Sequence, residues 1–168
     1  MARMREPAAA LEAAAEQALN RCRAAGLRLA LVEASTGGLT AATLASVAGA
    51  SAVLERALVP YSNAAKEELL GVPTALFVAH GAVSEEAARA LAEGALARAP
   101  VDCALAETGI AGPGGATAAK PVGLVFLALA RRGAPTLVQR HVFSGSRQEV
   151  QRATALAALA LLGSATPG

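Results

Sequence analysis

The chain has 168 residues and a net charge of only +2, enough length for one domain with a real core. It is 54% hydrophobic but 2% aromatic, with one Tyr and no Trp, so Ala, Leu and Val must build that core. No clustered Lys/Arg with stacking aromatics points to a nucleic acid, and no run reaches the ~20 apolar residues that span a bilayer, so neither is expected as a partner.

The spacing predicts a helix over 7–25, with Pro7 near its start and Gly26 as its stop. A buried strand follows over 27–33, then a turn over 35–38 and a helix over 39–47, broken at Gly49. The next strand is expected over 53–61. Ser62 or Asn63 caps a short helix that runs to Leu70 and ends at Gly71. Pro73 opens another short helix, closed near Gly81. Ser84 caps a longer one to about Arg98, with Glu85 and Glu86 at the positive end of its dipole. A strand over 101–107 leads into a Gly-rich loop over 108–120. Strands over 122–130 and 136–143 read as a hairpin around 131–135. Ser146 and Glu149 form a capping box before a last helix to about Leu162, and 165–168 is a tail.

Helices alternate with strands early and a hairpin comes late. The expected fold class is therefore α/β: a three-layer α/β/α sandwich with a mixed sheet and a late antiparallel hairpin. One domain over 1–168 is expected, its core over about 27–163. Residues 1–11 lack the apolar stretch of a secretion signal. Cys22 and Cys103 form no CxxC pair and no metal pattern with His80 or His141. They read as buried reduced thiols, which points to the cytoplasm and to no metal.

Three stretches carry chemistry. In the first, a buried strand ends at Glu33-Ala34 and passes through Ser35-Thr36-Gly37-Gly38 into a helix. Such a turn aims backbone N–H groups and a helix dipole at one point, which suits a phosphate, a carboxylate or a developing oxyanion. Alternatively, Ser35 only caps the helix. In the second, Tyr61 ends a strand and Lys66 falls in the first turn of the next helix. The dipole and partial burial both push the Lys66 amine toward neutrality, as a general base for a hydroxyl needs, and a nearby phenol relays a proton. The plainer alternative is an exposed lysine and a packed tyrosine. The third, Thr108-Gly109-Ile110-Ala111-Gly112-Pro113-Gly114-Gly115, is a loop where main chain can approach a ligand closely; the plainer alternative is a long turn with no ligand. It is neither a P-loop nor a dinucleotide fingerprint. Lys120, Arg147 and Arg152 flank loops; each alone reads as a surface charge, and one of them is available to hold a substrate phosphate. All three stretches follow strand ends, where open α/β sheets gather their ligands.

Together these blocks resemble the CinA C-terminal domain family. The matching stretches are Glu33 with Thr36-Gly37-Gly38, Tyr61 to Lys66 with Leu70-Gly71-Val72, His80 to Glu85, Gly109 to Pro113 with Lys120 to Gly123, and Phe143 to Gly145 with Arg147. The resemblance implies a nicotinamide-nucleotide amidohydrolase. Such an enzyme converts the carboxamide of nicotinamide mononucleotide (NMN) to the acid with release of ammonia, using a Ser with Lys and Tyr and no metal or cofactor. Tyr61 and Lys66 match that pair. The resemblance also implies a substrate wall from Glu33, Ala34, Thr36, Gly37, Gly38, Thr108, Gly109, Ile110, Ala111, Gly112 and Arg147, a homo-oligomer, and the stand-alone form of a domain elsewhere fused behind a larger one.

The chain departs from the family pattern at the nucleophile. Ala34 stands where the family has its serine, and Ser35 lies one residue along. Ala57, Pro60, Gly114, Ser146 and Gln151 also depart from the pattern. Two expectations follow. One is an amidohydrolase with Ser35 as a displaced nucleophile, Lys66 as base, Tyr61 as relay and the N–H groups around Gly37 as oxyanion hole. The other is a non-catalytic paralogue that binds a nucleotide or a protein partner.

Overall fold

The computed structural model describes residues 5–164; the expected tail over 165–168 and the first four residues lie outside them. Five strands form one sheet in the order β2-β1-β3-β4-β5. They are β1 (Leu29–Glu33), β2 (Leu54–Leu58), β3 (Cys103–Gly109), β4 (Leu124–Arg131) and β5 (Ala134–Val142). β1 pairs in parallel with both β2 and β3, whereas β3–β4 and β4–β5 are antiparallel. The mixed sheet and late hairpin expected from the sequence are both present.

Alternation along the strands sorts the core into two layers. Leu29 and Leu31 of β1, with Cys103 and Leu105 of β3, face a cluster built with α1 (Arg5–Ala24), α2 (Leu39–Ala45) and α6 (Arg147–Ser164). Ala30, Val32, Ala104 and Ala106 face the other cluster, built chiefly with α5 (Glu85–Arg98). α3 (Asn63–Leu70) and α4 (Thr74–His80) add Leu70 and Phe77 to that side. Small alanines on this face let α5 lie close to the sheet. Burying each large aliphatic side chain contributes about 1.5–3 kcal/mol. β1 is buried at every residue, as befits a central parallel strand.

Helix ends follow the sequence closely. The Ser62 hydroxyl accepts from the Ala65 N–H and the Ser84 hydroxyl from the Ala87 N–H. The capping box closes both ways: the Ser146 N–H donates to Glu149 Oε2, and the Glu149 N–H donates to Ser146 Oγ. Strand ends shift more. β2 stops at Leu58 instead of reaching Tyr61, because Pro60 has no N–H to extend the ladder. β3 runs on through Thr108 and Gly109, which pair with Phe126 and Val125. Pro135 lies inside β5, the edge strand, where a missing N–H faces no neighbour. Cys22 and Cys103 are buried and free, and burial pushes their thiols up to about 11 and about 12. Among the described residues no helix is long and apolar enough to cross a membrane.

Candidate functional site

The chain leaves β1 for β2 on one side, and β3 lies on the other. α2 covers one face of the sheet and α3, α4 and α5 the other. A crevice therefore opens at the carboxyl ends of β1 and β3, where the winding reverses. It holds a pocket of about 350 Å³ whose wall includes Ala34, Ser35, Tyr61, Lys66, Thr108 and Arg147, together with Gly109 to Gly112. That volume falls within the ~300–1,000 Å³ of small-molecule sites. A more open concavity of about 500 Å³ lies along α1. One helix lines it, so no polar groups from separate elements converge there.

The turn after β1 is organised around a residue from β3. The register sets Glu33 beside Glu107 at the ends of two apolar strands. Glu107 Oε1 accepts the backbone N–H groups of Ser35 at 2.8 Å and Thr36 at 2.9 Å. Its Oε2 accepts the Ser35 hydroxyl at 2.5 Å. Glu33 turns the other way and accepts the N–H groups of Thr40 and Ala41 in the first turn of α2. The Thr36 hydroxyl lies between the two carboxyl groups, 2.5 Å from Glu33 Oε2 and 2.8 Å from Glu107 Oε1. Both glutamates are 2% exposed, so these donors replace the water that each carboxylate gives up. Burial pushes the Glu107 carboxyl above the usual range, and the donors from Ser35 and Thr36 pull it back. The anion cradle expected at this turn exists, and an internal carboxylate fills it.

Lys66 enters from α3, the fourth residue of that helix, with only 4% of its surface exposed. Its amine donates to Asn63 Oδ1 at 3.4 Å. Among the described residues no carboxylate lies within ion-pair distance of it. Burial lowers its affinity for a proton, partly opposed by the more distant Glu107 carboxylate. Tyr61 is largely exposed at the pocket mouth. Its hydroxyl accepts from Arg147 Nη2 at 2.9 Å, while Arg147 Nη1 donates to the Gly112 carbonyl at 2.9 Å. Arg147 thus bridges the start of α6, the approach to α3 and the Gly-rich loop. Lys120 instead donates to the His80 carbonyl, and Arg152 lines a separate cavity between α1, α2 and α6. Of the three flanking cations, Arg147 is the one on this pocket.

Tyr61, Lys66, Thr108 to Gly112 and Arg147 come together in one pocket. Glu33, Thr36, Gly37 and Gly38 shape the turn but are not part of the pocket wall. The Ser35 hydroxyl goes to Glu107, and no hydrogen bond joins it to Lys66. The Thr108 hydroxyl donates to the Ala82 carbonyl at 2.6 Å. Sequence reasoning missed Glu107. Glu107 carried a usable signal: LALVE and CALAE are both apolar runs that end in glutamate. Gln151 of α6, noted in the sequence only as a departure from the family pattern, donates to the Ser35 carbonyl at 2.9 Å, across 116 residues of sequence.

An α/β/α sandwich with a polar pocket at the ends of two parallel strands is the class of domain defined so far. The profile of the CinA C-terminal domain matches residues 11–166, and the chain belongs to that family. It is 54% identical over 142 residues to a CinA-like protein of Anaeromyxobacter dehalogenans (strain 2CP-C), covering 84% of this chain and 35% of the relative. It is 53% identical over 137 residues to a CinA-like protein of Geobacter sulfurreducens, covering 82% and 33%. The chain thus spans about a third of the length of these relatives. Its fold matches the competence/damage inducible protein CihA from Agrobacterium tumefaciens with a TM-score of 0.88 at 42% identity, over 91% of this chain and 93% of that one. A CinA-superfamily protein from Klebsiella pneumoniae matches with a TM-score of 0.88 at 32% identity, over 92% and 96%.

Proposed function

We propose that this domain binds a pyridine mononucleotide of the NMN class in the strand-end pocket and hydrolyses its carboxamide to the acid and ammonia. One observation carries the proposal: a lysine, 4% exposed, lines a polar pocket, and among the described residues no carboxylate is paired to its amine. Burying an unpaired amine costs stability. A perturbed titratable group in a cleft is what proton transfer requires. A lysine whose proton is held loosely gives it to a departing amine and takes one back from water. Arg147, at the pocket mouth, supplies a fork for the nucleotide phosphate, and Tyr61 sits within its reach. The proposal includes a cytoplasmic setting, self-association, and a nucleotide rather than a nucleic acid as partner.

A second reading, binding without turnover, is favoured by Ala34. Its methyl group stands on the pocket wall where the family serine belongs. Calorimetry with NMN and nicotinate mononucleotide, run beside an ammonia-release assay, separates the two. Binding with release supports the hydrolase. Binding without release, with release gained in Ala34→Ser, supports the second reading. Absence of both binding and release overturns both.

A further inference from the structure

We propose that Ser35 and Glu107 form the nucleophile–base pair of this pocket, so that Glu107, not Lys66, takes the proton when the Ser35 hydroxyl attacks. The inference rests on the hydrolase proposal for its natural substrate, but its geometry stands by itself.

Every polar atom of Ser35 is fixed. Its N–H donates to Glu107 Oε1 at 2.8 Å, its hydroxyl donates to Glu107 Oε2 at 2.5 Å, and its carbonyl accepts from Gln151 Nε2 at 2.9 Å. A nucleophile and its base must lie within hydrogen-bond reach, about 2.5–2.7 Å for a hydroxyl on a carboxylate, with the base held in place by other groups. Glu107 meets the second demand as well. Its other oxygen accepts two backbone N–H groups and faces the Thr36 hydroxyl. That leaves Oε2 directed at Ser35. Ser35 nonetheless reaches the pocket wall, whereas Glu107 does not. The base therefore sits behind the nucleophile, away from substrate. Gly109 keeps the approach open: a Cβ there would lie 3.2 Å from Ser35 Oγ and 2.7 Å from Val125 Cγ2. Burial makes the Glu107 carboxylate a stronger base than an ordinary glutamate.

The chemistry balances. Ser35 Oγ bonds to the carboxamide carbon and its proton passes to Glu107 Oε2. The C–N bond breaks as Lys66 protonates the leaving nitrogen, which departs as ammonia and leaves an ester on Ser35. Lys66, now neutral, takes a proton from water as that water adds to the ester carbon. The C–O bond to Ser35 breaks, and Glu107 returns its proton to the serine oxygen.

The test uses a fluorophosphonate, which marks activated serines without needing NMN. The chain is labelled and the site mapped by peptide mass spectrometry in the wild type and in Ser35→Ala, Glu107→Gln, Lys66→Met and Ala34→Ser, each checked for folding by thermal melt. Labelling at Ser35 that slows about a hundredfold or more in Glu107→Gln and persists in Lys66→Met supports the pair. An unlabelled Ser35, under conditions that label residue 34 in Ala34→Ser, overturns it. Unchanged labelling in Glu107→Gln, or loss of labelling in Lys66→Met, also overturns it. Should Glu107→Gln fail to fold, the Lys66→Met result decides. Ammonia from NMN without a reactive Ser35 leaves the hydrolase proposal standing and removes this one. A reactive Ser35 with no ammonia from NMN does the reverse.

Discussion

The Ser35 hydroxyl and the Glu107 carboxylate share a hydrogen bond of 2.5 Å that joins the end of β1 to the end of β3, across 72 residues of sequence. This contact orders the whole turn. With Glu107 removed, the N–H groups of Ser35 and Thr36 lose their acceptor in a buried place. Glu107→Ala is expected to destabilise the fold by about 1–3 kcal/mol for each buried donor left unpaired. Glu107→Gln keeps an acceptor oxygen and should cost less. Denaturant melts of the three proteins check the order.

The same residue sets a pH dependence. Burial raises the folded-state value of Glu107 above its unfolded one, so the native state holds the proton more tightly. Its contribution to stability is complete below the ordinary carboxylate value of ~4.3 and is lost as pH rises through the folded value. Glu33, across the Thr36 hydroxyl, and Lys66 are the other ionisable groups facing it. Stability of the wild type relative to Glu107→Gln is therefore expected to fall as pH rises above about 4.3. Melting temperatures taken across pH for both proteins read this difference. A flat difference contradicts it.

Lys66 has the opposite sign. Its folded-state value is lowered, so the unfolded chain holds the proton more tightly, and stability gains as pH rises toward the ordinary lysine value of ~10.4. Lys66→Met, which replaces a buried amine with an apolar chain of similar length, should be more stable than the wild type at neutral pH. The gap should close toward pH 10, on the order of the ordinary lysine value. Urea midpoints at neutral and alkaline pH measure it.

Arg147 bonds to Tyr61 and to the Gly112 carbonyl, and it is the cation at the pocket mouth. Arg147→Ala is expected to weaken NMN binding about tenfold or more, the value of one charge-assisted hydrogen bond, with a small change in melting temperature. Calorimetry resolves a shift of that size.

Gly94 supports the site from a distance. A Cβ there would stand 2.3 Å from the Leu70 carbonyl oxygen, so the glycine lets α5 press against the C-terminal end of α3, one turn beyond Lys66. Gly94→Ala must push α3 outward. The expected cost is about 1–3 kcal/mol, with ammonia release falling as Lys66 moves. A thermal melt and an activity assay on the same sample test both parts.

The sequence made the helices easy to read because caps are local. Ser62, Ser84 and the Ser146–Glu149 box each act within three residues, and each marks a real boundary. Strand ends were harder, since a strand stops where its partner stops supplying donors; β2 ends at Leu58 because of Pro60. At the site, the residues carried on loops and first turns were legible: Tyr61, Lys66, Thr108 and Arg147 all reach one pocket. The partner of Ser35 was not. Glu107 comes beside Ser35 only through the parallel register of β1 and β3, and Gln151 only through the packing of α6. Neither relation leaves a spacing along the chain.

On the proposed reading, the strand-end pocket hydrolyses a pyridine-nucleotide carboxamide with the help of Lys66. Ammonia release from NMN, measured for the wild type and for folded Lys66→Met, tests it most directly. Release is expected from the wild type, with a loss of about a hundredfold or more in the variant. Equal rates in the two proteins, or no release by the wild type, would contradict it.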